Sequence, residues 1–191
     1  MKYGIIVAVL IALASSAHAT TTSFYGTGSA DTIVVGRGYH YDVLSYVACI
    51  NGAWTWGNAV TGSSDVVNTY GYGGADTITI RSTNATFTCG TETYWFFRMD
   101  YSYACAGTIY VSGGDGDDEI FGAQCAERLW GDAGYDILTG AGGDDTLSGG
   151  TEGDCLDDTT VASMACGAGY DNYTDDYHWK DCEGWVATCY P

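Results

Sequence analysis

Residues 113–157 divide without a gap into five nine-residue units, GGDGDDEIF, GAQCAERLW, GDAGYDILT, GAGGDDTLS and GGTEGDCLD. The first residue of every unit is glycine, the sixth is acidic and the eighth is aliphatic. The acidic residues are Asp118, Glu127, Asp136, Asp145 and Asp154, and the aliphatic ones are Ile120, Leu129, Leu138, Leu147 and Leu156. A fixed short period of this kind predicts a solenoid, in which each unit packs against its neighbours.

Two more units match the pattern upstream of this array. Residues 26–34 read GTGSADTIV and residues 71–79 read GYGGADTIT, with Asp31 and Asp76 at the sixth position. Long insertions separate these units from each other and from the main array. If each insertion occupies the opposite edge of the solenoid, Asp31 and Asp76 continue the column that contains Asp118, Asp136 and Asp154.

The unit combines a glycine-rich, acidic first half with an aliphatic eighth position between two outward residues. Glycine permits close backbone approach, so the carbonyl groups of the turn can point inward around a cation. The second half has the period of two that is typical of a short strand. Turns that offer oxygen atoms and a carboxylate suit a hard cation with six to eight oxygen ligands, which indicates calcium.

GGDGDDEIF resembles the pattern G-G-x-G-x-D-x-U-x of the RTX calcium-binding β-roll repeats, and GDAGYDILT and GAGGDDTLS resemble it less fully. The resemblance implies a right-handed parallel β-roll that holds Ca²⁺ between turns two units apart, with sixth-position carboxylates and turn carbonyls as ligands. The metal residues that it implies are Asp118, Asp136 and Asp154 on one edge, Glu127 and Asp145 on the other, Asp31 and Asp76 in the outlying units, and Asp115 and Asp117 beside the first turn.

The N-terminus has the three parts of a secretory signal in order. Lys2 precedes an apolar run at 5–14, and Ala17-His18-Ala19 is a small-residue cleavage site. The predicted organisation is therefore a signal peptide at 1–19, a β region with two outlying repeats and long insertions at 20–112, the calcium-binding repeats at 113–157, and a cap rich in cysteine and aromatic residues at 158–191. The insertions are rich in β-branched and aromatic residues, and no segment shows a helical period, so the predicted fold class is all-β.

All eight cysteines follow the predicted cleavage site, and an even number in an exported chain predicts disulfide bonds. They are Cys49, Cys89, Cys105, Cys125, Cys155, Cys166, Cys182 and Cys189. No CxxC pair is present, which argues against a zinc site. We expect disulfides to staple the insertions and the C-terminal cap, in pairings that the sequence does not specify.

The net charge of −18 argues against nucleic acid and anionic membranes as partners. Beyond the signal, no stretch is long and apolar enough to span a membrane. The predicted location is secreted, extracellular or at the cell surface. The predicted partners are calcium ions together with surface, matrix or self-assembly contacts.

Three classes of function remain open at this point. The first is a structural or adhesive extracellular protein that folds on binding calcium. The second is a carbohydrate- or ice-binding module on the same roll, and the third is a small secreted hydrolase. After signal removal the chain has two histidines, His40 and His178, and no recognisable catalytic motif, so we expect that it is not an enzyme.

Overall fold

The computed structural model describes residues 19–61, 64–81, 85–96, 108–159, 163–169, 172–173, 179–180 and 184–185. The predicted signal segment up to residue 18, together with Cys105, Cys182 and Cys189, lies outside them. Within the described ranges the chain is all-β, as the sequence predicts. None of these residues forms a helix that is long and apolar enough to cross a membrane.

The strands are short, and most of them match the second half of a repeat unit or its equivalent. They are β1 (Thr21–Tyr25), β2 (Thr32–His40), β3 (Val43–Ile50), β4 (Ala53–Ala59), β5 (Val66–Gly73), β6 (Thr77–Ile80), β7 (Ala85–Cys89), β8 (Glu92–Phe96), β9 (Thr108–Asp115), β10 (Glu119–Phe121), β11 (Glu127–Ala133), β12 (Ile137–Thr139), β13 (Thr146–Thr151), β14 (Cys155–Asp157), β15 (Ser163–Ala168), β16 (Asn172–Tyr173), β17 (Trp179–Lys180) and β18 (Gly184–Trp185).

The repeat strands alternate between two sheets. The 7-stranded sheet has the order β1-β5-β9-β11-β13-β15-β17, and all of its neighbours are parallel. The 9-stranded sheet has the order β18-β16-β14-β12-β10-β6-β2-β3-β4 and is parallel from β18 to β2. One strand from each sheet makes one coil, which is the topology of a β-roll.

The core lies between the two sheets and is built from every second residue of each strand. The 9-stranded sheet contributes Ile33, Ile78, Ile120, Leu138 and Leu156, and the 7-stranded sheet contributes Val67, Ile109, Leu129, Leu147 and Met164. All five aliphatic residues at the eighth position of the main array are fully buried. Burying a side chain of this kind stabilises the fold by about 1.5–3 kcal/mol, so the stacked aliphatic rows fix the register of the coils.

The two insertions leave the roll after β2 and after β6, at the turns that lead back to the 7-stranded sheet. The first adds β3 and β4 as antiparallel strands to the 9-stranded sheet, and the second forms the β7–β8 hairpin. A disulfide between Cys49 and Cys89 joins the two insertions. Cys125, Cys155 and Cys166 are also disulfide-bonded. The insertions therefore form one stapled lobe, which leaves the roll at the edge opposite Asp31 and runs back along β2 to Asn51, whose amide donates to Asp31 Oδ1.

Candidate metal centre

The carboxylates at the sixth position form a hydrogen-bonded ladder along one edge of the roll. The backbone N–H of each member donates to the Oδ1 of the corresponding aspartate in the next coil. The N–O distances are 2.7 Å from Asp31 to Asp76, 2.7 Å from Asp76 to Asp118, 2.8 Å from Asp118 to Asp136 and 3.0 Å from Asp136 to Asp154. We call these five residues the long ladder. The outlying units thus continue the column of the main array.

Strand pairing places each carboxylate of the long ladder. Each one immediately precedes a short strand of the 9-stranded sheet, and its own carbonyl accepts the first ladder hydrogen bond of the next strand. The carbonyl of Asp118, for example, accepts from Ile137 N at 2.8 Å, and that of Asp136 accepts from Cys155 N at 2.8 Å. The side chain of a residue inside the ladder therefore contacts the preceding coil and its backbone contacts the next one, which fixes the residue between the two.

A second ladder lies on the opposite edge, where the chain enters the 7-stranded sheet. Glu127 N donates to Asp145 Oδ1 at 2.7 Å, and Glu127 Oε2 accepts from Ala123 N at 3.1 Å. Both acidic side chains are buried. The structure therefore places Glu127 and Asp145 together and apart from the long ladder, as the repeat phase predicts.

Asp65 belongs to the same edge and was not predicted. Its Oδ1 accepts from Thr20 N at 2.9 Å and its Oδ2 accepts from Thr61 N at 2.7 Å, so it repeats the geometry of the other ladder members. Residues 61–65 read TGSSD, one residue different from TGSAD at 27–31. This likeness is the signal that could have identified Asp65, but Val60 replaces the glycine at the first position.

Asp158 is a further buried acid that the repeat pattern did not indicate. It aligns with Gly140 at the first position of a unit, because β12 and β14 pair Thr139 with Asp157. A Cβ atom built on Gly140 would lie 2.7 Å from Asp145 Oδ2 and 2.7 Å from Asp158 Cγ. Two carboxyl groups therefore face the same turn.

Asp115 and Asp117 lie outside both ladders. Asp117 is exposed, and its Oδ1 accepts from Tyr135 N at 2.9 Å in the next coil. The carbonyl of Asp115 accepts from Gly74 N at 2.7 Å. These residues hold neighbouring turns together and add negative charge beside the long ladder.

The ladder residues leave oxygen atoms that the protein itself does not satisfy. The Oδ2 atoms of Asp76, Asp118 and Asp136 are buried and accept no hydrogen bond. A buried acceptor without a partner destabilises a fold by about 1–3 kcal/mol, and by more when it is charged. A cation beside each Oδ2 atom would remove this penalty.

The glycines at the first position let the backbone approach these oxygen atoms closely. A Cβ atom on Gly113 would lie 2.2 Å from Asp118 Oδ2 and 2.8 Å from the carbonyl oxygen of Gly131. A Cβ atom on Gly131 would lie 2.2 Å from Asp136 Oδ2 and 2.6 Å from the carbonyl oxygen of Gly149. Each turn therefore brings a carboxylate and a carbonyl of the next coil to one point that only glycine leaves open.

The donor set fits calcium. In the described part of the chain, no three His, Cys, Asp or Glu side chains converge into a cluster that could hold a metal by themselves. An ion at a ladder turn would therefore take most of its ligands from backbone carbonyls, with carboxylate oxygens completing a shell made only of oxygen. Such a shell suits calcium, whereas zinc prefers nitrogen and sulfur ligands.

The pKa values of the ladder carboxylates also favour a bound cation. Burial raises the pKa of Asp118 to about 7, aided by the charges of Asp136 and Asp76 and opposed by the hydrogen bond from the Asp76 backbone. Burial likewise raises the pKa of Asp136 to about 6. Burial and the charge of Asp158 raise the pKa of Asp145. The folded chain thus disfavours ionised carboxylates at these positions until a cation compensates them.

Asp31 differs from the other members of the long ladder. Burial acts to raise its pKa, but hydrogen bonds from the backbone and hydroxyl of Thr27 and the amide of Asn51 lower it below the ordinary value. Its Oδ2 accepts from Thr27 N. Protein donors thus stabilise the carboxylate of Asp31, so its turn depends least on a cation.

We expect the protein to become more stable in EGTA as the pH falls from 8 to 5. The pKa values of Asp118 and Asp136 are higher in the folded chain than the ordinary 3.8, so the folded state binds more protons in this interval. Each kcal/mol gained raises the Tm by about 2–4 °C in a chain of this size. Thermal unfolding followed by circular dichroism at both pH values measures the effect. An equal or lower Tm at pH 5 would contradict it.

The comparisons with known proteins agree with this donor chemistry. The family model of the RTX calcium-binding nonapeptide repeat matches residues 110–124 and 126–154, in four copies. The matched residues include Asp118, Glu127, Asp136, Asp145 and Asp154. Comparison with curated proteins and with solved structures gives no match.

Proposed function

We propose that calcium controls the folding of the whole roll, because the model of the RTX calcium-binding nonapeptide repeat matches residues 110–124 and 126–154. The ions would bind at the turns of the long ladder and at the Glu127–Asp145 edge. Bound calcium would neutralise the buried carboxylates and let the coils stack. The observation that carries the proposal is the row of buried Oδ2 atoms of Asp76, Asp118 and Asp136, which have no hydrogen-bond partner.

Charge explains why the ion would act as a switch. Neighbouring ladder carboxylates lie about one strand spacing apart, roughly 4.8 Å. Two unit charges at that distance repel by about 3 kcal/mol at an effective dielectric constant of about 20. The chain as a whole has a net charge of −18, so its compact form repels itself further. Bound calcium would reduce both the repulsion between ladder carboxylates and the repulsion within the whole chain. Magnesium holds its water more tightly and would reduce them poorly.

We place the protein outside the cell, as a structural or adhesive component of a surface or matrix. Its disulfides suit an oxidising compartment, and the predicted signal segment supports export. Extracellular calcium modules bind with a Kd of about 10⁻⁴–10⁻³ M, a range that external calcium can fill. Exposed aromatic side chains such as Tyr39 and Tyr41 on the stapled lobe offer contact surfaces. We propose no catalytic reaction for this chain.

The test is a calcium titration of the oxidised chain from residue 20 onward, followed by far-UV circular dichroism at pH 7.5. We expect calcium to raise the β signal and the Tm cooperatively above those of a weakly stable EGTA form, reversibly on addition of EGTA, and we expect magnesium to act much more weakly. Each site that binds the folded state alone contributes about 2.7 kcal/mol when the free ion is at about 100 times its Kd. A protein that is fully folded in EGTA, with a Tm that calcium does not change, would refute the proposal.

A further inference from the structure

The outer face of the 7-stranded sheet carries a row of aromatic side chains that is interrupted once. Strand pairing aligns Tyr25 with Tyr70, Tyr70 with Ser112 and Ser112 with Trp130. These residues alternate with the buried ones, so they face away from the core. The rings of Tyr25 and Tyr70 stack at 5.5 Å with an interplanar angle of 10°. The small side chain of Ser112 then leaves a gap before Trp130.

The gap is a slot with two aromatic walls. Tyr70, backed by Tyr25, forms one wall. Trp130 forms the other, and Tyr110, two residues before Ser112 on the strand between the walls, stacks on Trp130 at 5.7 Å with an interplanar angle of 4° and closes one end of the slot. Ser112 is the floor, and Asn68 lines the slot near Tyr110. The cavity has a volume of about 320 Å³, at the lower end of the range of small-ligand sites. Because each wall stacks on another aromatic ring, the slot is largely formed before any ligand arrives.

The width of the slot selects the shape of its ligand. Tyr70 and Trp130 stand two strand spacings apart, about 9.6 Å. A flat aromatic ring between two others needs about 7–8 Å, which is two carbon–carbon contacts of about 3.5–4.0 Å. A spacing of about 9.6 Å is wider and suits a thicker body with two apolar faces. The puckered ring of a sugar, with C–H groups on its faces and hydroxyl groups on its rim, has this shape.

Polar groups stand where the rim of a sugar would lie. The hydroxyl of Ser112 donates to Asp132 Oδ2, and the Asp132 side chain is exposed. The amide nitrogen of Asn68 donates to Ser23 Oγ at 3.3 Å. A carboxylate, a hydroxyl and an amide beside aromatic faces can accept hydrogen bonds from several sugar hydroxyls. We propose that this slot binds a neutral glycan chain.

Charge favours a neutral glycan over other occupants. A chain with a net charge of −18 repels acidic glycans, and it also repels a second copy of itself. Neutral sugars avoid this repulsion. The slot is open along the sheet surface, so an internal unit of a polysaccharide can enter as well as a chain end.

The slot is coupled to the long ladder by sequence position. Tyr70, Ser112 and Trp130 each immediately precede the first-position glycine of a ladder turn, namely Gly71, Gly113 and Gly131. The spacing of the two walls therefore depends on how three consecutive coils stack. We expect calcium to strengthen glycan binding, and this dependence alone rests on the proposed function.

The test uses isothermal titration calorimetry with neutral hexasaccharides of glucose and of N-acetylglucosamine, in β1,4 and β1,3 linkages, each in calcium and in EGTA. We expect at least one of them to bind the oxidised chain in calcium. Trp130→Ala should weaken binding by at least tenfold, and so should Tyr70→Ala. Tyr41→Ala, which removes an exposed ring on the stapled lobe, should leave it unchanged. Circular dichroism with calcium titration of every variant verifies that the fold and its calcium response persist.

Two results would refute glycan binding at the slot. One is no binding of any hexasaccharide at millimolar concentration by a chain that is folded in calcium. The other is binding that a folded Trp130→Ala variant retains in full. A chain that binds a hexasaccharide equally in calcium and in EGTA, with sensitivity to Trp130→Ala, would instead support the slot and contradict the calcium switch.

Discussion

Replacing Asp136 with asparagine is expected to stabilise the calcium-free protein and to weaken the stabilisation by calcium. Asp136 is fully buried as the fourth of the five residues of the long ladder, and its Oδ1 accepts the hydrogen bond from Asp118 N. Asparagine retains this acceptor and removes the charge. Its amide nitrogen would replace Oδ2 near the carbonyl of Gly149, to which it can donate. The substitution therefore removes the buried negative charge that a bound cation would otherwise neutralise.

The expected gain follows from the pKa of Asp136, which burial raises from 3.8 to about 6. This difference corresponds to about 3 kcal/mol of penalty for the ionised form above pH 6. We expect Asp136→Asn to raise the free energy of unfolding in EGTA at pH 7.5 by about 1–3 kcal/mol. In saturating calcium the variant should be less stable than the wild type, because one turn has lost its carboxylate ligand. Urea unfolding in both conditions measures the two effects.

Asp144→Asn is the matched control for this substitution. Asp144 lies in a turn of the same array and is exposed, so its replacement removes the same charge from the surface only. We expect its free energy of unfolding to change by no more than about 0.5 kcal/mol in either condition. If Asp136→Asn destabilised the protein in EGTA as strongly as in calcium, the ladder carboxylates would be structural acceptors and not ion ligands.

The period of nine residues was enough to predict the roll and most of its acidic edge. The sequence predicts Asp31 and Asp76 in line with Asp118, because insertions of any length on the opposite edge leave the phase of a coil unchanged. The structure places them so, with N–O distances of 2.7 Å between consecutive residues. Asp65 was missed because its unit lacks the glycine that defines the first position. Asp158 was missed because it occupies that position itself.

Other features depend on contacts between segments that are distant in the chain, which no local pattern encodes. The disulfide between Cys49 and Cys89 joins two insertions that have no repeat in common. The aromatic slot exists because parallel pairing brings Tyr70, Ser112 and Trp130 side by side from three separate coils. The sequence left a carbohydrate-binding module open, but it did not indicate which aromatic residues share a face. The register of the parallel strands decides which aromatic residues share a face.

The largest loss of stability is expected from Gly131→Ala. Gly131 does not have a positive φ, so a methyl group is excluded here by contact and not by backbone conformation. It would lie 2.2 Å from Asp136 Oδ2 and 2.6 Å from the carbonyl oxygen of Gly149. Neither atom can retreat easily, because the carboxylate is tied to Asp118 N and the carbonyl belongs to the backbone of the next coil. We expect a loss of about 3 kcal/mol in EGTA, and a fall in Tm of about 6–12 °C.

The same substitution tests where the ion lies. If calcium binds Asp136 Oδ2, the methyl group pushes this oxygen atom out of position, and the increase in Tm that calcium gives should be smaller in Gly131→Ala than in the wild type. Gly28→Ala is the control, since a Cβ atom there has no neighbour within 4 Å and its Tm should follow the wild type in both conditions. A Gly131→Ala protein that is destabilised in EGTA but gains as much from calcium as the wild type would place the ion elsewhere. The glycine would then be required only because adjacent coils approach so closely.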